Sequence, residues 1–178
     1  MPPLNPLTRS CVALAVSQLL LVPSVSHAAT ITVNSNADNN GAGCTLREAI
    51  VSANTSANQN NGCAVGSNSG TDTITFSNSL SSNQIVLANG VLSVGAGKDI
   101  EINASQLSGG VTIDGNQQSS LLSISDAVVT LNSMTLTGGF SENTYIQGGG
   151  GEQFVISGDP VIYADGALTL LNLSLIHI

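Results

Sequence analysis

Short apolar triads recur along most of the chain, each with two apolar residues on either side of one further residue. This alternation with a period of two is typical of strands that bury one face. Gly, Asn, Asp and Ser, which favour turns, separate the triads. The triads are Ile74-Thr75-Phe76, Ile85-Val86-Leu87, Leu92-Ser93-Val94, Ile100-Glu101-Ile102, Val111-Thr112-Ile113, Leu122-Ser123-Ile124, Val129-Thr130-Leu131, Met134-Thr135-Leu136 and Leu168-Thr169-Leu170.

The connections between the triads help to decide how the strands are arranged. Hairpins would show tight Asn-Gly or Asp-Gly loops between longer strands, whereas many connections in this chain are longer. Related segments also recur after roughly 20 to 26 residues, for example Val111–Gly115 and Met134–Gly138. We therefore predict an all-β parallel β-helix, a solenoid whose stacked strands bury aliphatic side chains.

The segment before the triads predicts one strand and one helix. Thr30–Asn34 alternates polar and apolar residues and predicts a first strand. Thr45 and Glu48 then have the spacing of a capping box, in which each side chain bonds the backbone N–H of the other residue. The helix is expected to run to about Asn54 and to lie across the open first coil, where unpaired strand edges invite aggregation. Its apolar face consists of Leu46, Ala49, Ile50 and Ala53.

The two ends of the chain show processing patterns. Residues 1–28 combine Arg9, an apolar run and Ser26-His27-Ala28, which predicts a signal peptide cleaved after Ala28. The run is shorter than the roughly 20 residues that span a bilayer, so a membrane anchor is the weaker alternative. Residues 173–178 match the translation of a common end sequence of sequencing libraries, so we interpret them as a scar and predict a longer natural chain. The predicted domains are a signal peptide (1–28), a cap (29–70), β-helix coils (71–172) and the scar (173–178).

Composition and charge narrow the classes of protein and partner. Hydrophobic residues make up 42% of the chain and charged residues only 8%, which argues against disorder. After cleavage, two basic residues (Arg47 and Lys98) stand against eleven acidic ones, a net charge of −9. Nucleic-acid grooves and contacts with anionic lipid need many Lys and Arg side chains, so neither is expected. No transmembrane segment is expected after cleavage of the signal peptide.

Cys44 and Cys63 remain after cleavage and are predicted to form a disulfide, because cysteine pairs are common in exported chains. The bond would close a loop rich in Asn and Ser, a constraint worth roughly 3 kcal/mol. Two unpaired thiols are the alternative. A metal site is disfavoured because no Cys or His partner has the spacing of a ligand set. We predict neither a metal nor a cofactor.

The segment Cys44–Ile50 resembles the signature of the CSLREA-type N-terminal domain of bacterial surface and secreted proteins, with Thr45 where Ser is usual. The resemblance implies a right-handed parallel β-helix on an exported protein, in a family most of whose members have no established activity. Glu152–Asp165 departs from the short Gly-rich turn of the family and implies an extra loop. The resemblance covers nearly all of residues 30–172 and is carried further by Asp72–Phe76, Val111–Asn116, Leu136–Gly139, Gly148–Gly151 and Gly166–Leu170.

Candidate catalytic and binding groups are few. Asp114 lies where a strand meets a turn, and a turn-forming Asp is preferred there to a Ca²⁺ or sugar ligand. Arg47 is expected on the cap helix as a surface charge or in an ion pair, and Lys98 in solvent. Both His27 and His177 fall in segments excluded above, so serine catalysis lacks a base. We predict no catalytic residues and no enzyme activity in this chain.

Two other segments predict structure rather than chemistry. Asn103, Asn132 and Asn172 each follow a triad closely, and we predict that they stack as an internal ladder of amides. Gly148–Gly151 has no following helix or Lys, so a flexible turn is preferred to a phosphate cradle.

These patterns together predict an exported bacterial protein, extracellular or held at the outer membrane or cell surface, that acts as a structural or adhesive scaffold. Its expected partners are glycans or other cell-surface molecules. The alternative is the N-terminal part of a carbohydrate-active enzyme, a polysaccharide lyase or glycoside hydrolase, with its active site further along a longer chain. A spacer that holds another domain away from the cell is the third reading.

Overall fold

The structure of the protein is a computed structural model that describes residues 28–39, 43–57, 62–140, 154–155 and 162–176. The predicted signal peptide lies outside the described residues except for Ala28, and so does the whole of Gly148–Gly151. The helix and strands are β1 (Thr30–Val33), α1 (Leu46–Thr55), β2 (Asp72–Phe76), β3 (Gln84–Val86), β4 (Leu92–Val94), β5 (Asp99–Asn103), β6 (Val111–Asp114), β7 (Leu122–Asn132), β8 (Met134–Thr137), β9 (Phe154–Val155), β10 (Ile162–Leu171) and β11 (Ser174–Ile176).

The described strands form two sheets in which nearly all pairs are parallel. The larger one, sheet A, has the order β1-β2-β5-β7-β10-β9, and β4 also pairs with β7. The smaller one, sheet B, has the order β11-β8-β6-β3. Among the described pairs, β9 with β10 is antiparallel. Parallel neighbours cannot be joined by a tight turn and need long connections. In this chain several connections between strands of sheet A run through sheet B, where they form β3, β6 and β8.

The predicted fold class is wrong. An all-β right-handed parallel β-helix would be a closed solenoid, whereas the described residues form two sheets and a helix, a β-rich arrangement of the α/β kind. Residues of α1 such as Leu46 and Ile50 belong to the same core as the strands. The triads are insufficient evidence for a closed β-helix, because they show only that alternate residues of a strand are buried, as in any sheet with one buried face. They do not show how sheets close or where a helix enters the core.

The local elements follow the sequence pattern more closely. Each triad lies on or overlaps a strand, and the predicted first strand corresponds to β1. Two triads share the single long strand β7, in which Asp126 between them has a left-handed backbone (φ 46°). Within the segment interpreted as a scar, Ser174–Ile176 form β11 and pair with β8. The origin of that segment stays a prediction.

The strand register aligns the inward side chains of sheet A into rows across the sheet. One such row consists of Ile31, Ile74, Ile102, Leu131 and Leu170. Its first four members are at most 2% exposed, whereas Leu170 on β10 is 38% exposed. The core is therefore covered where β1 and α1 lie. On β10, Ile162 and Ala164 are buried, but Leu170 near its end is not covered by other described residues.

Candidate functional site

The most elaborate arrangement of polar groups surrounds α1, and it begins with a capping box. Thr45 has an extended backbone (φ −85°, ψ 166°), and its Oγ1 accepts the Glu48 N–H at 3.3 Å. The Thr45 N–H and hydroxyl both donate to Glu48 Oε2 at 3.0 Å. Both residues are buried, so these bonds satisfy helix-end donors that water does not reach.

A disulfide holds the next loop against this helix start. It joins Cys44 to Cys63, whose Cα atoms lie 4.7 Å apart with a sequence separation of 19. Beyond Cys63 the loop packs closely on α1, because a Cβ atom at Gly66 would lie 2.5 Å from both Ala53 Cα and the Ser52 carbonyl oxygen. Backbone approach at this distance is open only to glycine.

An ion pair between the buried Asp38 and the partly exposed Arg47 links the preceding loop to α1. The Arg47 guanidinium donates from Nε to Asp38 Oδ1 at 2.7 Å and from Nη2 to Oδ2 at 3.0 Å. Asp38 Oδ2 also accepts the N–H groups of Ala88 and Asn89 at 2.8 and 2.9 Å. Burial opposes ionisation of Asp38, but the hydrogen bonds from Arg47, Asn89 and Ala88 outweigh it and lower the pKa of this carboxyl below its ordinary value. The ion-pair alternative that was left open for Arg47 is therefore confirmed.

Side chains of α1 also cover the free edge of β4. Arg47 donates to the carbonyl oxygens of Gly90 and Val91 at 2.6 and 2.9 Å, just before that strand. Asn54 donates to the Ser93 carbonyl at 2.8 Å and accepts the Gly95 N–H at 3.0 Å. An open strand edge presents unpaired backbone groups that attract other strands. The helix satisfies them with side chains instead of with a further strand.

A second buried carboxylate, Asp72, anchors the loop that follows the disulfide. Its side chain accepts the Ala29 N–H at 2.9 Å and the Ser67 N–H at 2.9 and 3.1 Å. The start of β1, the disulfide loop and β2 therefore meet at one residue. We call Asp38, Thr45, Arg47, Glu48, Asn54, Asp72 and the Cys44–Cys63 disulfide the cap cluster.

The sequence predicts part of this cluster but not the roles of Asp38, Asn54 and Asp72. Asn54 could have been found, because it follows Arg47 by seven positions, about two helical turns, and so lies on the same face. Asp38 and Asp72 had no such signal. Most of their partners are backbone N–H groups, and those of Ala88, Asn89 and Ala29 lie more than 40 residues away, where side-chain spacing carries no information.

The other candidate groups of the sequence have structural surroundings. Asp114 Oδ1 accepts the Asn116 N–H at 2.8 Å, which confirms the preferred turn-forming role. Its Oδ2 accepts from Gln84 Nε2 on the neighbouring strand at 3.1 Å. The expectation of a solvated Lys98 is wrong. The side chain is half-buried, and Nζ donates to Ser56 Oγ at the end of α1 at 2.9 Å.

The predicted asparagine ladder is present only in part. Asn172 Nδ2 donates to Asn132 Oδ1 at 3.3 Å. Asn103 lies in register with Asn132 but donates instead to Glu101 Oε1 at 2.9 Å and accepts the Ser105 N–H. These amides lie at the surface or are half-buried, so the prediction of an internal ladder is wrong. Strand register brings asparagines together, but each amide bonds whichever partner is closer.

The described residues show neither a membrane-spanning helix nor a cluster of three His, Cys, Asp or Glu side chains arranged to hold a metal ion. Comparison with models of protein families, with curated proteins and with solved structures finds no match for this chain. The resemblance to CSLREA-type domains therefore stays a prediction that rests on the residues quoted for it.

Proposed function

We propose that this protein is exported by a bacterium, to the cell surface or the medium, and serves as a structural or adhesive scaffold. The observation that carries the proposal is the outward side of sheet A. Five parallel strands in register present two rows of mostly polar side chains there, each partly or fully exposed. We call this surface the polar face; its rows are Thr30, Thr73, Glu101, Thr130 and Thr169, and Thr32, Thr75, Asn103, Asn132 and Leu171.

The geometry of the polar face suits contact with an extended, repetitive partner. Neighbouring strands lie about 4.8 Å apart, so equivalent side chains repeat at that interval across the sheet. Hydrogen bonds such as that between the Thr32 and Thr75 hydroxyls (3.2 Å) hold neighbouring side chains in place. Each hydroxyl can donate one hydrogen bond and accept two, so a bonded hydroxyl retains capacity for a ligand.

The disulfide supports export. Disulfides persist in oxidising compartments and are rare in the reducing cytosol. Cys44 is fully buried at the start of α1, so the bond belongs to the folded core rather than to a surface tail. The residues of the predicted signal peptide and the resemblance to exported proteins point the same way.

Export is tested by producing the full chain in a bacterial host and identifying its N-terminus by mass spectrometry. The proposal expects the product outside the cytoplasm, starting at Ala29 and carrying the oxidised Cys44–Cys63 pair. A product that stays in the cytoplasm with its first residues intact would contradict the proposed export.

Adhesion is tested with beads that carry the purified protein and are mixed with bacterial cells or matrix glycans. Thr130→Lys on the polar face is expected to weaken retention of the beads. Thr112→Lys is the matched control, because Thr112 is also half-buried and lies on a central strand of sheet B. Equal effects of the two substitutions would contradict a role for the polar face, and release of reducing ends from a polysaccharide would favour the enzyme alternative.

A further inference from the structure

The charged side chains on and beside the polar face are acidic. Asp99 and Glu101 lie two positions apart on β5, so both side chains point outward beside the central strands of sheet A. The outward positions of β1, β2, β5, β7 and β10 include no Lys or Arg in the registered rows. The neighbouring Lys98 has its ammonium bonded to Ser56 at the end of α1. Asp99 lies in the outward row that borders the polar face, in register with Val128, which is 46% exposed. A ligand on the polar face and this border therefore meets two carboxylates, rows of hydroxyls and amides, and an apolar strip at Val128 and Ala167.

Each of these carboxylates is oriented by a polar neighbour on the same face. The Thr71 hydroxyl donates to Asp99 Oδ2 at 2.7 Å, and Asn103 Nδ2 donates to Glu101 Oε1 at 2.9 Å. A carboxylate has about four acceptor positions, so both retain acceptor positions that a ligand can use. Side chains held in place before binding lose less freedom on binding, which favours affinity.

A small polar cavity continues the face at the Asp99 end. Its volume is about 140 Å³, and its lining includes Ser67, Ser69, Asp72, Lys98 and Asp99. Pockets that enclose whole small molecules are larger, roughly 300–1,000 Å³. The cavity therefore fits a polar substituent that projects from a longer ligand rather than a whole molecule.

We propose that the polar face binds a polysaccharide whose sugar units carry free amino groups, with protonated amines against Asp99 and Glu101 and sugar hydroxyls along the Thr and Asn rows. Charge complementarity selects this occupant: a uronic-acid polymer would be repelled by the two carboxylates and by the acidic chain as a whole, whose net charge is −8. A neutral glycan would use the hydroxyl rows but leave the carboxylates without a counter-charge. The inference rests on the proposed adhesive function and names the chemistry of its partner.

The test uses the full chain, produced by export and purified with its disulfide intact. Its affinity is measured by calorimetry for a soluble glucosamine oligosaccharide and for the N-acetylated oligosaccharide of the same length, at a pH where amines are protonated and carboxylates ionised. We expect the free amine form to bind at least about tenfold more tightly, and added salt to narrow the gap because it screens surface charges over about 10 Å at 0.1 M.

Variants locate the effect on the protein. Asp99→Asn and Glu101→Gln are each expected to weaken binding of the amine form about threefold to fivefold, and about tenfold or more together. Asp114→Asn is the matched control, because it removes one charge from sheet B and should leave the affinity unchanged. Retained thermal unfolding midpoints show that the variants fold.

Two results overturn the inference. One is equal affinity for the two oligosaccharides or no binding of either; the other is an affinity that the double variant leaves unchanged. The scaffold proposal fails on separate grounds, namely loss of export or loss of any difference between Thr130→Lys and Thr112→Lys in the bead assay. A protein that passes those assays but binds both oligosaccharides equally would be an adhesive scaffold with another partner.

Discussion

The side of the molecule covered by α1 and the side formed by β10 and β11 are built from the same kind of strand but end differently. At the α1 side, Arg47 and Asn54 bond the exposed backbone edge of β4, and the apolar helix face joins the core. At the other side, Leu170 and Leu175 lie in register with buried leucines of the neighbouring strands but are themselves 38% and 44% exposed. Burial of a strand residue is therefore decided by the layer beyond it, which local sequence does not reveal.

The largest change in the free energy of unfolding is expected for one of two leucines that lie in the same inward row. Leu131 and Leu170 are partners in register on β7 and β10, but Leu131 is 2% exposed and Leu170 is 38% exposed. Leu131→Ala leaves a cavity between layers and should lower the free energy of unfolding by about 2–5 kcal/mol. Leu170→Ala removes contacts from one side only and should cost about 1 kcal/mol or less. Denaturant unfolding of both variants measures the difference.

Equal losses in the two leucine variants would mean that further chain or a second copy covers β10 in solution. Sedimentation of the unaltered protein at several concentrations distinguishes these two explanations, since only a second copy makes the mass depend on concentration.

The next effect concerns the ion pair on the covered side. Asp38→Asn keeps the shape of the side chain but leaves Arg47, which is 21% exposed, without its counter-charge. Because this pair lies between a fully buried and an exposed one, altering one partner should lower the free energy of unfolding by about 2 kcal/mol. A loss below about 0.5 kcal/mol, the size of an ordinary surface substitution, would show that the backbone donors of Ala88 and Asn89 hold the loop by themselves.

The same ion pair predicts a dependence of stability on pH. The folded state lowers the pKa of Asp38, so the unfolded chain binds the proton more tightly. The stabilisation by Asp38 is therefore fully present above the unfolded pKa of about 4 and is lost as the pH falls through the lower folded value. Unfolding free energies of the unaltered protein and of Asp38→Asn should converge as the pH falls below about 4. A gap that stays constant into strong acid would contradict the assignment.

The disulfide allows a further test of how the covered side differs from the β10 side. Replacing both Cys44 and Cys63 by Ser should lower the free energy of unfolding by about 3 kcal/mol. Amide hydrogen exchange should become faster in α1 and in the loop around Gly66, because these segments lose their tether. Exchange in β10 should change less. The reduced unaltered protein is the control and should behave as the double variant does, and uniform acceleration of exchange would contradict a local effect.

Several elements could be predicted because their causes are local. The capping box depends on residues three positions apart, and the Asx turn at Asp114 on residues two apart. Alternation along Ile100–Ile102 was enough to place β5. Global arrangement was not accessible in the same way, since alternation is satisfied by any sheet with one buried face. The prediction of a closed β-helix therefore failed where the strand positions succeeded.

The cap cluster shows the same division at the level of single residues. Thr45 and Glu48 were identified because they bond each other across one helical turn. Asp38 and Asp72 were missed because their buried carboxylates bond backbone N–H groups from distant segments. The surroundings of Lys98 were wrongly predicted for a related reason: its partner Ser56, just after α1, is 42 positions away in the sequence.

The smallest expected effect compares two buried hydroxyls on the helix that closes the covered side. Thr45 Oγ1 takes part in the capping box, whereas Ser52 Oγ is fully buried with no hydrogen-bond partner among the described residues. Thr45→Ala should lower the free energy of unfolding by about 1 kcal/mol, the usual cost of losing an N-cap. Ser52→Ala should change it by about 0.5 kcal/mol or less, or raise it, because removing an unpaired buried polar group relieves its desolvation cost. A loss of about 1 kcal/mol or more in Ser52→Ala would show that this hydroxyl bonds a buried water, because the alanine variant loses that hydrogen bond. Buried water would in that case contribute to the stability of the covered side, in addition to the hydrogen bonds of the capping box.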